Sequence, residues 1–68
     1  MKIKNRNYDL KAGSILIGND GEYMLTSDYD SFHQCYYANE IELQVDGSVI
    51  TLADTCLTLY DIIDMTLI

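Results

Sequence analysis

Short runs of apolar residues follow one another along this chain, and turn signals separate them at close intervals. In Ile41-Glu42-Leu43-Gln44-Val45 the apolar residues Ile41, Leu43 and Val45 share one face, while Glu40, Glu42 and Gln44 share the other. That alternation predicts a half-buried antiparallel strand. Asp46-Gly47 then leads into Ser48-Val49-Ile50-Thr51, which predicts a hairpin. Asn19-Asp20-Gly21, between Ile15-Leu16-Ile17 and Tyr23-Met24-Leu25, predicts a second, because Asp and Gly tolerate the positive φ of a tight turn.

The remaining segments are less regular. Met1 to Lys4 alternates weakly and adds a candidate strand, and Tyr8 to Gly13 reads as a lead-in closed by a turn. Ser27 to Ser31 is loop-like in composition, and Phe32 to Tyr37 reads as a further strand. In the C-terminal third, Thr51-Leu52-Ala53-Asp54 has the form of a capping box, and Leu52, Cys56, Leu59 and Ile63 recur at helical spacing. Thr and Ile are indifferent helix formers, which argues against a long helix. One helical turn near residues 52–56 is expected, then a final strand from Tyr60 to Leu67 with Ile63, Met65 and Leu67 inward. The fold class that results is mainly β. It is a small antiparallel, SH3-like barrel or curled sheet of five to six strands, with at most one short helical turn.

Sixty-eight residues hold one domain, 1–68, and such a chain buries only about 60% of its unfolded surface. The core is therefore thin, and seven aromatics, six Tyr and one Phe, exceed what it can bury completely. Charge narrows the function. Eleven acids face four Lys and Arg for a net charge of −7. The cations are Lys2, Lys4, Arg6 and Lys11, with no Lys or Arg after them. Such a surface repels nucleic acid and anionic membranes and attracts a basic protein surface. No run approaches the ~20 apolar residues of a membrane span, and the N-terminus lacks the apolar core of a signal peptide. A cytoplasmic protein is expected, with Cys35 and Cys56 free and at least one of them in the core.

Leu10-Lys11-Ala12-Gly13-Ser14, an apolar strand and Asp20-Gly21-x-Tyr23 resemble the start of SH3-like small barrels. Tyr60-Asp61-Ile62-Ile63-Asp64-Met65 resembles the closing strand of short proteins from phages and prophages of Gram-positive bacteria. The two stretches cover about half the chain, and the resemblance implies a scaffold with no catalytic residues. A basic residue often follows the Tyr-Asp-Ile segment in that pattern. Asp64 stands near its place here, which speaks against nucleic-acid binding. In composition the chain also resembles the small acidic anti-CRISPR and DNA-mimic inhibitors of phages.

Catalytic and metal chemistry finds little footing. His33, Cys35 and Cys56 offer three soft ligands with one close pair, short of a zinc set. His33 and Cys35 share a strand face without an evident orienting group for nucleophilic catalysis. Asp28-Tyr29-Asp30 begins like a calcium loop, but Asn39 stands where the distal Glu belongs. Asp61 and Asp64 need a pocket to act as an acid–base pair, and no glycine-rich phosphate loop is present. No enzyme activity and no cofactor are expected. The segment that stands out is Asp28, Tyr29, Asp30, Phe32, Tyr36, Tyr37, Glu40 and Glu42, where carboxylates suited to Arg alternate with rigid aromatics. The expected function is an acidic protein-binding module, an inhibitor that covers the basic surface of a nucleic-acid-handling protein. The alternative is a self-assembling accessory module, a homodimer, pairing through edge strands and the tail Met65-Thr66-Leu67-Ile68.

Overall fold

A computed structural model describes residues 10–68, so the candidate strand at Met1 to Lys4 and the start of the lead-in lie outside the described residues. Five strands and one helical turn follow in order: β1 (Ile15–Ile17), β2 (Glu22–Leu25), β3 (Tyr36–Leu43), β4 (Val49–Leu57), α1 (Leu59–Ile62) and β5 (Thr66–Leu67). All pair antiparallel in a single sheet of order β4-β3-β2-β1-β5. The protein is thus mainly β, with one short helical turn, and its sheet is not closed into a barrel: β4 and β5 are the two edges.

Both expected hairpins form. The turn joining β3 and β4 spans Gln44 to Ser48, and Gly47 takes φ 91°, a conformation only glycine adopts without strain. Asp46 fixes this turn by accepting from the backbone and hydroxyl of Ser48. Val45 lies in the turn and is fully exposed, so the alternating strand ends at Leu43. Between β1 and β2, Gly18 N–H donates to the Gly21 carbonyl at 2.8 Å. Neither Asp20 nor Gly21 has a positive φ, so this turn closes without the conformation expected of it.

The core gathers on one face of the sheet. Leu16, Leu25, Tyr36, Ala38 and Leu57 pack there against Ile62 of α1 and Met65. The register explains the choice: Leu25 lies opposite Ala38 and Tyr36 opposite Leu57. Each large apolar side chain buried this way contributes about 1.5–3 kcal/mol. Tyr36 is completely buried, and its hydroxyl accepts from Leu10 N–H at 3.2 Å, which relieves the cost of an enclosed polar atom.

Three local expectations are corrected. The helical turn is at 59–62, not 52–56, and residues 52–56 belong to β4. Phe32 to Gln34 form a turn, and β3 begins only at Tyr36. The closing strand shrinks to Thr66–Leu67, because Leu59 to Ile62 are helical and Ile63 turns to solvent. No helix among the described residues is long and apolar enough to cross a membrane.

Candidate functional site

Two surface features carry polar and aromatic groups, and the first is the link between β2 and β3. Asp30 and Cys35 exchange backbone hydrogen bonds, Asp30 N–H to Cys35 carbonyl at 2.8 Å and the reverse at 3.2 Å. Ser31 to Gln34 close the tip, and Gln34 adopts φ 57°, an uncommon state for a residue with a side chain. The Asp30 carboxylate organises the whole tip. Its Oδ1 accepts from Phe32 N–H at 2.9 Å and His33 N–H at 3.2 Å, and its Oδ2 lies 2.8 Å from His33 Nδ1. These bonds, the His33 side chain first, hold the Asp30 carboxyl below the usual carboxylate range. Partial burial and then the Asp30 charge push the Tyr37 phenol up.

So held, the tip presents aromatic surface to solvent. Phe32 is 87% exposed and meets the His33 ring edge-on at 4.8 Å, while His33 meets Tyr37 at 6.1 Å. A ring that finds no place in the core and is fixed by its own turn suits an anchor for another protein.

The second feature is an open groove of about 530 Å³ between the β1–β2 turn, the end of β4 and α1. Asp20, Asp61 and Asp64 line it together with Tyr23 and Tyr60. Asp61 is fixed by a capping box: its Oδ2 accepts from Thr58 N–H at 2.9 Å, while its own N–H donates to Thr58 Oγ1 at 3.3 Å. The Tyr23 hydroxyl donates to Asp20 at 3.4 Å. Burial, then the charges of Asp20, Glu40 and Asp61, push the Tyr23 phenol up, which marks a locally negative potential. Lys11, the one Lys or Arg among the described residues, lies away from it, 3.9 Å from Asp28. The two features adjoin at Cys56, which lines the groove and pairs across the sheet with Tyr37.

The eight residues singled out in the sequence do not form one face. Asp30, Phe32 and Tyr37 come together at the tip. Asp28 is turned to Lys11 and to Ala12 N–H, and Tyr29 is half-buried with its ring 5.3 Å from that of Tyr36. Tyr36 itself is core and offers nothing to a partner, because its position in the register opposite Leu57 points it inward. Glu40 stands opposite Tyr23 near the groove, and Glu42 opposite Ile50 toward the far hairpin. Sequence reasoning missed His33 as part of the aromatic tip, and Asp20, Tyr23, Tyr60, Asp61 and Asp64 as one lining. A signal for Asp61 was present in Thr58-Leu59-Tyr60-Asp61, a second capping-box pattern.

The Cys/His pair has an orienting group after all, since Asp30 holds His33. Burial first, then Cys56 and Asp30, push the Cys35 thiol up, so it lacks the stabilised thiolate of a fast catalytic nucleophile and can attack only slowly. Among the described residues no three His, Cys, Asp or Glu side chains gather as a metal would require. Compared with known proteins, the chain matches no protein-family profile, no curated protein and no solved structure.

Proposed function

We propose that this chain is an acidic protein-binding module that docks on a basic surface of a larger protein. The observation that carries the reading is the convergence of Asp20, Asp61 and Asp64 on one open groove next to a fixed, exposed aromatic tip. Carboxylates lining a concavity raise the local concentration of a cationic partner and offer bidentate acceptors to Arg. Phe32 and Tyr37 add the rigid apolar contact that gives such an encounter a lifetime. The partner we favour is a protein whose basic surface normally holds nucleic acid, with the carboxylates standing where phosphates would sit. The likeness of Tyr60 to Met65 to a stretch of phage proteins, and of the composition to small acidic phage inhibitors, extends this to a phage-encoded inhibitor of host defence.

Amide chemical-shift mapping with an arginine-rich peptide tests the reading. Shifts should concentrate on Asp20, Tyr60, Asp61, Asp64 and the Phe32 tip, and weaken between about 0.01 and 0.15 M salt as the Debye length shortens. Asp64→Lys and Phe32→Ala should each weaken binding. Binding indifferent to salt and to both substitutions would sink it. Release of labelled DNA from a basic host protein would then separate blocking from docking alone.

One observation favours a second reading, self-assembly. β4 is a nine-residue edge strand with a single charge, Asp54, and exposed Ile50 and Leu52. Edges of this kind invite pairing with another copy. The C-terminal tail contributes less, since Met65 is buried within the chain and Leu67 pairs with Leu16. A strict monomer in analytical ultracentrifugation at about 10–100 µM, where a weak dimer assembles by mass action, removes this reading.

A further inference from the structure

Cys35 and Cys56 are far apart in sequence and meet across the sheet. Tyr36 pairs with Leu57 and Tyr37 with Cys56, so Cys35, two residues before Tyr37, shares that side of the strand and stands diagonal to Cys56. Cys56 is near enough to add, after burial, to the upward push on the Cys35 thiol. Both are free; Cys35 is buried and Cys56 is exposed. Diagonal neighbours on antiparallel strands lie about 7–8 Å apart between Cα atoms, and a disulfide spans about 4.4–6.8 Å. The movement required is on the order of 1 Å. It falls at the start of β3, where Cys35 is tied to Asp30 by an isolated bridge and not by the full ladder.

We infer that Cys35 and Cys56 are a dithiol–disulfide pair, which a small-molecule disulfide such as oxidised glutathione converts to a staple joining the root of the aromatic hairpin to β4. The order of events follows exposure. The Cys56 thiolate attacks one sulfur of oxidised glutathione, expelling one glutathione thiolate and leaving a mixed disulfide on Cys56. Cys35 gives its proton to water and attacks the Cys56 sulfur, expelling the second glutathione. Two protein thiols are oxidised by two electrons, and one glutathione disulfide is reduced to two thiols. Because burial pushes the Cys35 thiol up, the second step is the slow one and accelerates with rising pH. The staple closes the β3–β4 hairpin into a covalent loop and restricts the unfolded chain, a stabilisation independent of any partner.

The experiment equilibrates the reduced full chain with glutathione buffers of graded ratio, quenches with an alkylating reagent and records intact masses. The expected product is a monomer lighter by two hydrogens in which both cysteines resist alkylation, with Tm raised on the order of 10 °C. Cys56→Ser should leave Cys35 unmodified, and Cys35→Ser should hold Cys56 as a lasting glutathione adduct. Cys56 is exposed, so its variant keeps the test sound even if Cys35→Ser folds poorly. A wild-type chain that stops at the Cys56 adduct, forms Cys56-linked dimers or fails to react in the most oxidising buffer overturns the inference.

Discussion

Between Thr51 and Asp61 the chain carries the pattern Thr-Leu-x-Asp twice, first inside β4 and then across the start of α1. Thr51, Ala53 and Asp54 have cross-strand partners in Ile41, Glu40 and Asn39, so their backbone groups are committed to the ladder. Leu52 is the extra residue where the register shifts between Glu40 and Ile41. The ladder ends at the pair Tyr36 and Leu57. Cys35, next along the same line, gives both of its backbone bonds to Asp30. Thr58 therefore has no strand partner, and its side chain caps a helix instead. The residue after each pattern completes the contrast: Ile62 enters the core, whereas the first copy offers Thr55. A capping box thus makes a helix here only where strand pairing has run out and an apolar residue follows to be buried.

The strongest way to break this contrast is to remove the buried residue. Ile62→Ala should cost about 2–5 kcal/mol by lost burial and the cavity left behind. Thr55→Ala, at the matching place after the first copy, should cost under ~1 kcal/mol. Small domains hold only about 5–15 kcal/mol in total, so the first variant should show a much lower denaturation midpoint. Equal losses in urea titrations would mean that burial does not select the helical copy.

The caps themselves give a smaller difference. Thr58→Ala removes the acceptor for Asp61 N–H and one of the two Thr58 donors to the Asp61 carboxylate, and should cost about 1 kcal/mol. Thr51→Ala touches only an exposed edge and should fall within about 0.5 kcal/mol. Thr58→Ser, which keeps the hydroxyl, should recover most of the loss in the same titration. If Thr51→Ala proved the costlier, the first copy would hold more of the fold than its strand assignment allows.

These two segments also show what the sequence could disclose. The hairpins were legible because turn chemistry and alternation are local: Asp46-Gly47 and Ile41 to Leu43 suffice without knowledge of distant partners. The helical turn was misplaced because both copies carry the same local signal, and the register of β3 decides between them. Tyr36 and Phe32, both expected in the partner-binding segment, part company for a similar reason. Both lie on the same side of a hypothetical continuous strand, but the turn at Ser31 to Gln34 releases Phe32 to solvent. The acidic groove was the least legible, since it joins the β1–β2 turn, the end of β4 and the α1 region, which no local pattern connects.

Asp30 extends the comparison to a third segment in which a carboxylate, not a ladder, sets the backbone. Its hydrogen bonds to His33 and Phe32 hold its carboxyl below the usual range in the folded chain. The folded state therefore binds this proton less readily than the unfolded state. The stabilisation is fully present above the ordinary carboxylate pKa of about 3.9 and is lost as pH falls through the lower, folded value. Asp30→Asn retains an oxygen for the backbone donors but loses the charge and one acceptor. Its Tm should lie below that of the parent at neutral pH, and the gap should narrow as both are titrated below about pH 4. The effect is the smallest of the three because the tip is solvent-exposed and water competes for every bond it makes. A gap that stayed constant down to about pH 2 would assign the loss to the altered side-chain shape, leaving the turn to be set by Gln34 and the Asp30–Cys35 bridge.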